Sequence, residues 1–326
     1  MRFLRTAAVV GALAAPGLVG AQQDTVRTAG AQGAAPRAPQ REGLPLQTTR
    51  TVQFTTDEGT WMSLDVSPDG RTIVFDLVGD LYTLPTTGGT ATRITDGPGF
   101  DAQPRWSPDG KSIVFSSDRS GAENLWLVDA DGKNPKALTR GDKNQYVSPE
   151  WTPDGRYIAV SRATTDVRAS TYELYLIHKD GGTGVKLAGA SGAGSSGGPQ
   201  SNQIDNYMGP AFSGKDGRYV WVSVKRGGFG YNLQLPLWQV AVYDRETGRT
   251  YPRTNVFGSG MRPVLSPDGK WLAYATRADS VTGWRIRDLE GGDERWLVRR
   301  VDRDDQESRY TRDVMPGASF TPDSKS

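Results

Sequence analysis

The residues that could do chemistry in this chain of 326 are few, and each sits in a context that argues against catalysis. There is one histidine, His178, following the apolar pair Leu176-Ile177. A single imidazole can serve as a general base, but here it has neither a nucleophile elbow nor a second histidine to work with. Cysteine is absent, which removes thiol nucleophiles, disulfides and Cys-based metal centres. The run Gly192-Ala193-Gly194-Ser195-Ser196-Gly197 has the composition of a Gly-x-Ser-x-Gly elbow. It lies in a low-complexity stretch, not at a strand-to-helix turn, and no Gly-Lys-Ser/Thr follows to make a phosphate loop. Asp304-Asp305 lies in a mixed-charge run from Arg299 to Glu307, the pattern of solvated surface. No calcium-loop spacing of carboxylates occurs. The expectation is no catalytic residue, no cofactor and no metal ligand in this chain.

One further stretch, Lys225 to Asn232, joins an Arg-Gly-Gly run to aromatics. Nucleic-acid binding would need a basic field. Formal charge is +2, with 39 basic and 37 acidic residues. Removing Arg2 and Arg5 with a leader leaves 37 against 37. We therefore expect no nucleic-acid partner. Tyr207, Arg226, Phe229 and Tyr231 are the candidate residues of a loop facing a protein partner or substrate.

The elements that would position such residues follow from a repeat. Ser67-Pro68-Asp69-Gly70 recurs as Ser107-Pro108-Asp109-Gly110, Thr152-Pro153-Asp154-Gly155 and Ser266-Pro267-Asp268-Gly269. Degenerate copies are Ser213-Gly214-Lys215-Asp216-Gly217 and Thr321-Pro322-Asp323-Ser324. The spacings between the turn aspartates are 40, 45, 62, 52 and 55. Proline presets φ, Asp suits the next position and Gly takes the positive-φ position of a tight turn. An apolar residue precedes each turn (Val66, Trp106, Trp151, Phe212, Leu265, Phe320), and Pro104, Pro149, Pro210 or Pro263 stands two residues earlier. Branched or aromatic triplets such as Ile113-Val114-Phe115 follow, then a third strand such as Leu125-Trp126-Leu127-Val128. From Pro104 to Thr139 this makes four short strands joined only by turns. Such a unit cannot bury both faces alone, so the fold class expected is all-β: a propeller of four-stranded antiparallel blades, about five plus the start of a sixth. The last copy stops within its hairpin, which predicts a truncated product or a fragment of a longer chain.

The expected domain organisation has three parts. Residues 1–21 read as a signal peptide, with a basic start, an apolar run from Thr6 to Val19 and a small-residue cleavage site after Ala21. Residues 22–50 read as a disordered linker. Residues 51–326 form the propeller, with blade turns at 67–70, 107–110, 152–155, 213–217, 266–269 and 321–324. The expected location is periplasmic or secreted, with no membrane span after cleavage.

The blade pattern W-S-P-D-G-K-x-I-x-F, S-D-R-x-G, N-L-W, D-A-D-G and L-T resembles the WD40-like repeats of TolB-type propellers over residues 55–326. The segment from Gln234 to Tyr251, with Gly258 to Gly269, is similar to exported bacterial amidohydrolases that carry such a propeller ahead of a metal-dependent hydrolase barrel. That resemblance implies a non-catalytic module that binds a protein or gates substrate for a downstream hydrolase domain, which would hold a divalent metal such as zinc. The family's His-x-His motif has no match here, so no metal ligand carries over. Two alternatives stand beside it: a separate TolB-like interaction propeller, and the propeller of a prolyl-oligopeptidase-type serine peptidase.

Overall fold

The computed structural model describes residues 7–11, 49–59, 62–164, 172–189, 205–214, 216–226, 238–256, 258–278, 281–301 and 317–326. No helix occurs among them, so none is long and apolar enough to cross a membrane. A separate two-stranded ladder pairs Ala7–Gly11 (β1) with Val52–Thr56 (β2). All other strands belong to five four-stranded antiparallel sheets, each in simple up-and-down order. These are the blades of a β-propeller.

Blade 1 comprises Leu64–Val66 (β3), Thr72–Leu77 (β4), Asp80–Pro85 (β5) and Thr92–Arg93 (β6). Blade 2 comprises Asp101–Trp106 (β7), Ser112–Ser117 (β8), Asn124–Asp129 (β9) and Lys136–Ala137 (β10). Blade 3 comprises Asn144–Trp151 (β11), Tyr157–Thr164 (β12), Tyr172–His178 (β13) and Val185–Ala188 (β14). Blade 4 comprises Asp205–Ala211 (β15), Tyr219–Arg226 (β16), Gln239–Asp244 (β17) and Arg249–Pro252 (β18). Blade 5 comprises Gly260–Leu265 (β19), Trp271–Ala278 (β20), Val281–Asp288 (β21) and Glu294–Arg299 (β22).

Alternation along each strand sends successive side chains to the two neighbouring blades. Ile113, Phe115 and Val128 of blade 2 pack with Val74 and Leu81 of blade 1. Val114 and Leu125, one position out of phase, pack with Ile158, Val160, Tyr175 and Ile177 of blade 3. The same exchange joins Leu174 to Val220 and Val222, and Val240 to Leu272 and Tyr274. The aromatic and branched residues of the repeat are thus inter-blade core.

The repeated turn closes on itself in the same way at five of its six places. The hydroxyls of Ser67, Ser107, Thr152, Ser266 and Thr321 each donate to the Asp two residues on, at 2.6 Å. That bond is the largest influence holding Asp69, Asp109, Asp268 and Asp323 below the ordinary carboxylate range. The turn glycine has positive φ, 69° at Gly110, and a β-carbon there would sit 3.7 Å from Pro68 of the preceding turn. Gly155 stands in the same relation to Pro108, and Gly70 to Pro322. Ser324 Oγ accepts from the Asp268 N–H, and Ser319 Oγ donates to Asp65 Oδ1 at 2.7 Å. Residues 317–326 therefore take the innermost place of a sixth position, between blades 5 and 1. Six turns ring one end of the propeller axis.

Candidate functional site

The innermost strand of blades 2 to 5 carries a bulge just before its proline. The register shifts between Ala102 and Arg105, Val147 and Glu150, Met208 and Ala211, and Met261 and Val264. Gln103, Ser148 and Arg262 have φ of 57°, 53° and 51°, a left-handed conformation costly for residues with a β-carbon; Gly209 takes the equivalent place at 65°. What holds this backbone is a set of bonds between blades. The Gly209 N–H donates to Ser161 Oγ at 3.1 Å, and the Arg262 N–H to Ser223 Oγ at 2.8 Å. At the same position of blade 1 stands Asp76, whose two oxygens accept the N–H groups of Ser63 and Gln103, both at 2.8 Å. Gln103 Oε1 in turn accepts from the Ser148 N–H at 2.7 Å.

These bulges form the floor of an axial pit of about 700 Å³. Such a volume suits a small ligand or the tip of a chain. Val147, Met208 and Met261, one step earlier on the same strands, join Trp238 in a buried apolar cluster that backs the floor. The floor presents Gln103, Ser148, Gly209 and Arg262, and the wall above it presents Asp65, Arg105, Glu150, Ala211, Val264 and Ser319. The prolines of the repeated turns, among them Pro68, Pro108, Pro153, Pro267 and Pro322, form the rim.

Charge is confined to part of this wall. Arg105 Nε donates to Glu150 Oε2 at 3.0 Å, and its Nη1 donates to the Leu64 carbonyl at 2.7 Å. Asp65 accepts from the Trp106 N–H and from Ser319. The Glu150 side chain remains 27% exposed to the pit, yet it lies below the rim among protein atoms. Burial, opposed by Arg105 and reinforced by Asp65, pushes its carboxyl up to about 7. Burial likewise pushes Asp76 up to about 6, against its two backbone N–H partners and Arg262. Arg262 is pushed down to about 9 by burial and by Arg105, while Asp76 and Glu150 favour its charged form. Among the described residues, no three His, Asp or Glu side chains converge as metal ligands would.

Of the residues expected from sequence to face a partner, only the Tyr207 side chain lies among the described residues. Tyr207 is buried between blades 3 and 4, packed with Leu174, Val220 and Tyr243, and its hydroxyl lies 3.1 Å from Thr250 Oγ1. It is a packing residue, because its strand position points it at the neighbouring blade. Arg226 is the last residue of β16, and its side chain lies outside the described residues, as do Phe229 and Tyr231. His178 pairs edge-on with Tyr157 at the outer part of blade 3, away from the pit. The charged pit residues were not singled out from sequence. Their signal was positional: Asp65, Arg105 and Glu150 each stand two residues before a turn Ser or Thr, and Arg262 stands four before.

A five-bladed β-propeller with an axial pit at the turn-ringed end is the class of protein defined here. Residues 64–205 match the family described as the tricorn protease N-terminal beta propeller domain. The Tol-Pal system protein TolB of Helicobacter hepaticus is 30% identical over 138 residues, covering 40% of this chain and 32% of its own. Tricorn protease homolog 1 of Streptomyces coelicolor is 26% identical over 264 residues, 72% of this chain but 24% of its own. The crystal structure of TolB from Acinetobacter baumannii superposes with a TM-score of 0.53 at 21% identity, over 76% of this chain and 56% of that one. The fold is therefore a TolB-like β-propeller. The chain spans about a third or less of these two curated relatives.

Proposed function

We propose that this chain is a non-catalytic binding propeller, exported to the periplasm or beyond, whose axial pit receives a segment of a protein partner. The observation that carries the reading is the contrast at the propeller axis. Five of the six turns repeat one hydrogen-bond pattern, while the wall below them differs at every blade and holds buried, unevenly shared charge. Propeller cores are satisfied without such charge, and burying it is costly. Likeness to TolB supports an interaction role, and the basic, apolar and small-residue pattern of residues 1–21 supports export.

A second reading has its own support. The tricorn protease homolog contains a matching propeller within a chain about four times as long as the match. On that reading the propeller gates or positions substrate for a hydrolase domain, as its resemblance to amidohydrolase-linked propellers implies. A peptidase of the prolyl-oligopeptidase type would use the propeller similarly. In each case any divalent metal or catalytic serine would belong to the other domain.

Display selection of random peptides on the folded chain tests the pit assignment. Selected peptides should lose binding to a Val264→Phe variant, which fills the pit wall. Undiminished binding to that variant would place the interaction elsewhere.

A further inference from the structure

The pit's charge distribution narrows what it can receive, on the reading that the pit is the binding site. We propose that the pit binds an ammonium group on an alkyl stem, held by the Glu150 carboxylate with the stem lying along Ala211, Val264 and Phe320. The chemistry is that of a lysine side chain or a free N-terminus of a partner, or of a small alkylamine.

Three observations converge on Glu150. First, below the turn ring three carboxylates, Asp65 and Glu150 on the pit lining and Asp76 buried behind it, stand against two guanidinium groups, Arg105 and Arg262. With all five ionised, three against two leaves one negative charge. A cation removes that imbalance, whereas an anion doubles it. Second, the other two carboxylates are engaged in holding the fold. Asp76 accepts two backbone N–H groups, one on each oxygen. Asp65 accepts a backbone N–H on one oxygen and the Ser319 hydroxyl on the other. Glu150 takes Arg105 on Oε2 and only its neighbour's N–H, at 3.2 Å, on Oε1. A carboxylate has about four lone-pair sites, so acceptor capacity remains, and this side chain faces the pit. Third, the next blade round the axis leaves room beside it. Gly209 and Ala211 offer almost no side chain where blade 2 offers Gln103 and Arg105. Val264 and Phe320 then supply an apolar flank of the kind an alkyl stem covers.

The binding is linked to protons with a definite sign. Glu150 faces Arg105 of blade 2, Asp65 of blade 1 and Arg262 of blade 5, with Asp154 of its own blade above it on the lining. Burial and Asp65 make the empty pit take up a proton on Glu150 near pH 7. An ammonium group needs the ionised carboxylate. Affinity therefore rises from pH 6 to pH 8 and levels off above.

The test uses n-pentylamine, with pentanoate and pentanol as anionic and neutral counterparts, titrated into the full chain and followed by methyl NMR at Ala211 and Val264. Pentylamine is expected to shift both methyls and to bind more tightly at pH 8 than at pH 6. Glu150→Gln, which keeps the shape and can still accept from Arg105, is expected to weaken it by about tenfold or more and to flatten the pH dependence. A tetrapeptide with a free N-terminus and norleucine, set against an acetylated one with lysine, distinguishes the two protein sources of the amine. Pentanoate binding in preference to pentylamine, or pentylamine binding unchanged in Glu150→Gln, would overturn the assignment while leaving the pit as the site. If none of the probes binds and selected peptides also ignore Val264→Phe, the pit reading itself falls.

Discussion

The turn ring and the pit wall beneath it are built from adjacent residues of the same strands, yet they obey different rules. Trp106 and Ser107 recur in kind at every blade, while Arg105 just before them is Asp65, Glu150, Ala211, Val264 or Ser319 elsewhere. The ring shows what the fold requires: a proline, a hydroxyl and an aspartate that close the turn, and a glycine that lets the next turn approach. The wall shows what the fold merely tolerates. Asp76 marks the boundary between the two. It fills a place where Ser161 and Ser223 do the same work with one hydroxyl, but it adds a buried carboxylate beneath Arg262.

The sharpest way to break this comparison is to remove a fold-holding group from the pit layer. Asp76→Ala leaves the N–H groups of Ser63 and Gln103 buried without their acceptor and deprives Arg262 of one of its two anionic neighbours. Urea unfolding should report a loss of about 3–5 kcal/mol. A loss below about 1 kcal/mol would mean the bulges are held by something else.

Acidification should act next most strongly, and in an unusual direction. Glu150 and Asp76 have folded-state values raised above their ordinary 4.5 and 3.8. The folded state thus binds more protons than the unfolded one between about pH 4 and pH 7. For a carboxyl shifted this way, stability is greatest when it is protonated and is lost as pH rises through the folded value. Lowering the pH from 8 to 5.5 should stabilise the chain by about 2 kcal/mol through Glu150, and Glu150→Gln should remove most of that gain. Thermal melts across this range in both proteins are the check.

The wall's role in binding predicts an effect of about 1.4 kcal/mol or more, a tenfold loss, for Val264→Phe against selected peptides. The ring predicts the smallest effect. Asp109→Ala removes one acceptor from a turn that water can reach, at a cost of about 1 kcal/mol with no change in ligand affinity. A binding defect in that variant would blur the division between ring and wall.

The same division explains what could be read from sequence. The blades were legible because turn chemistry and strand alternation recur at fixed offsets, from Ser67 to Asp323. Even the sixth turn, with Ser324 for Gly, announces itself, and the structure seats it against Gly70 and Asp268. The pit was not legible because it is assembled across the axis from residues as far apart as Asp65 and Ser319, none with a local motif. Tyr207, a candidate by residue type, is buried between blades by its strand phase. Comparing the copies column by column at the position two before each turn would have isolated Asp65, Arg105 and Glu150.

The central claim is that the axial pit, and not another cavity of similar size, receives the partner. A second cavity of about 640 Å³ lies between blades 1 and 2, lined by Thr83, Thr92, Arg93 and Asp131. Dissociation constants of one selected peptide for the unaltered chain, for Val264→Phe in the pit and for Thr92→Phe in the second cavity set the two against each other. The account predicts at least a tenfold weakening with Val264→Phe and none with Thr92→Phe; the reverse result would contradict it.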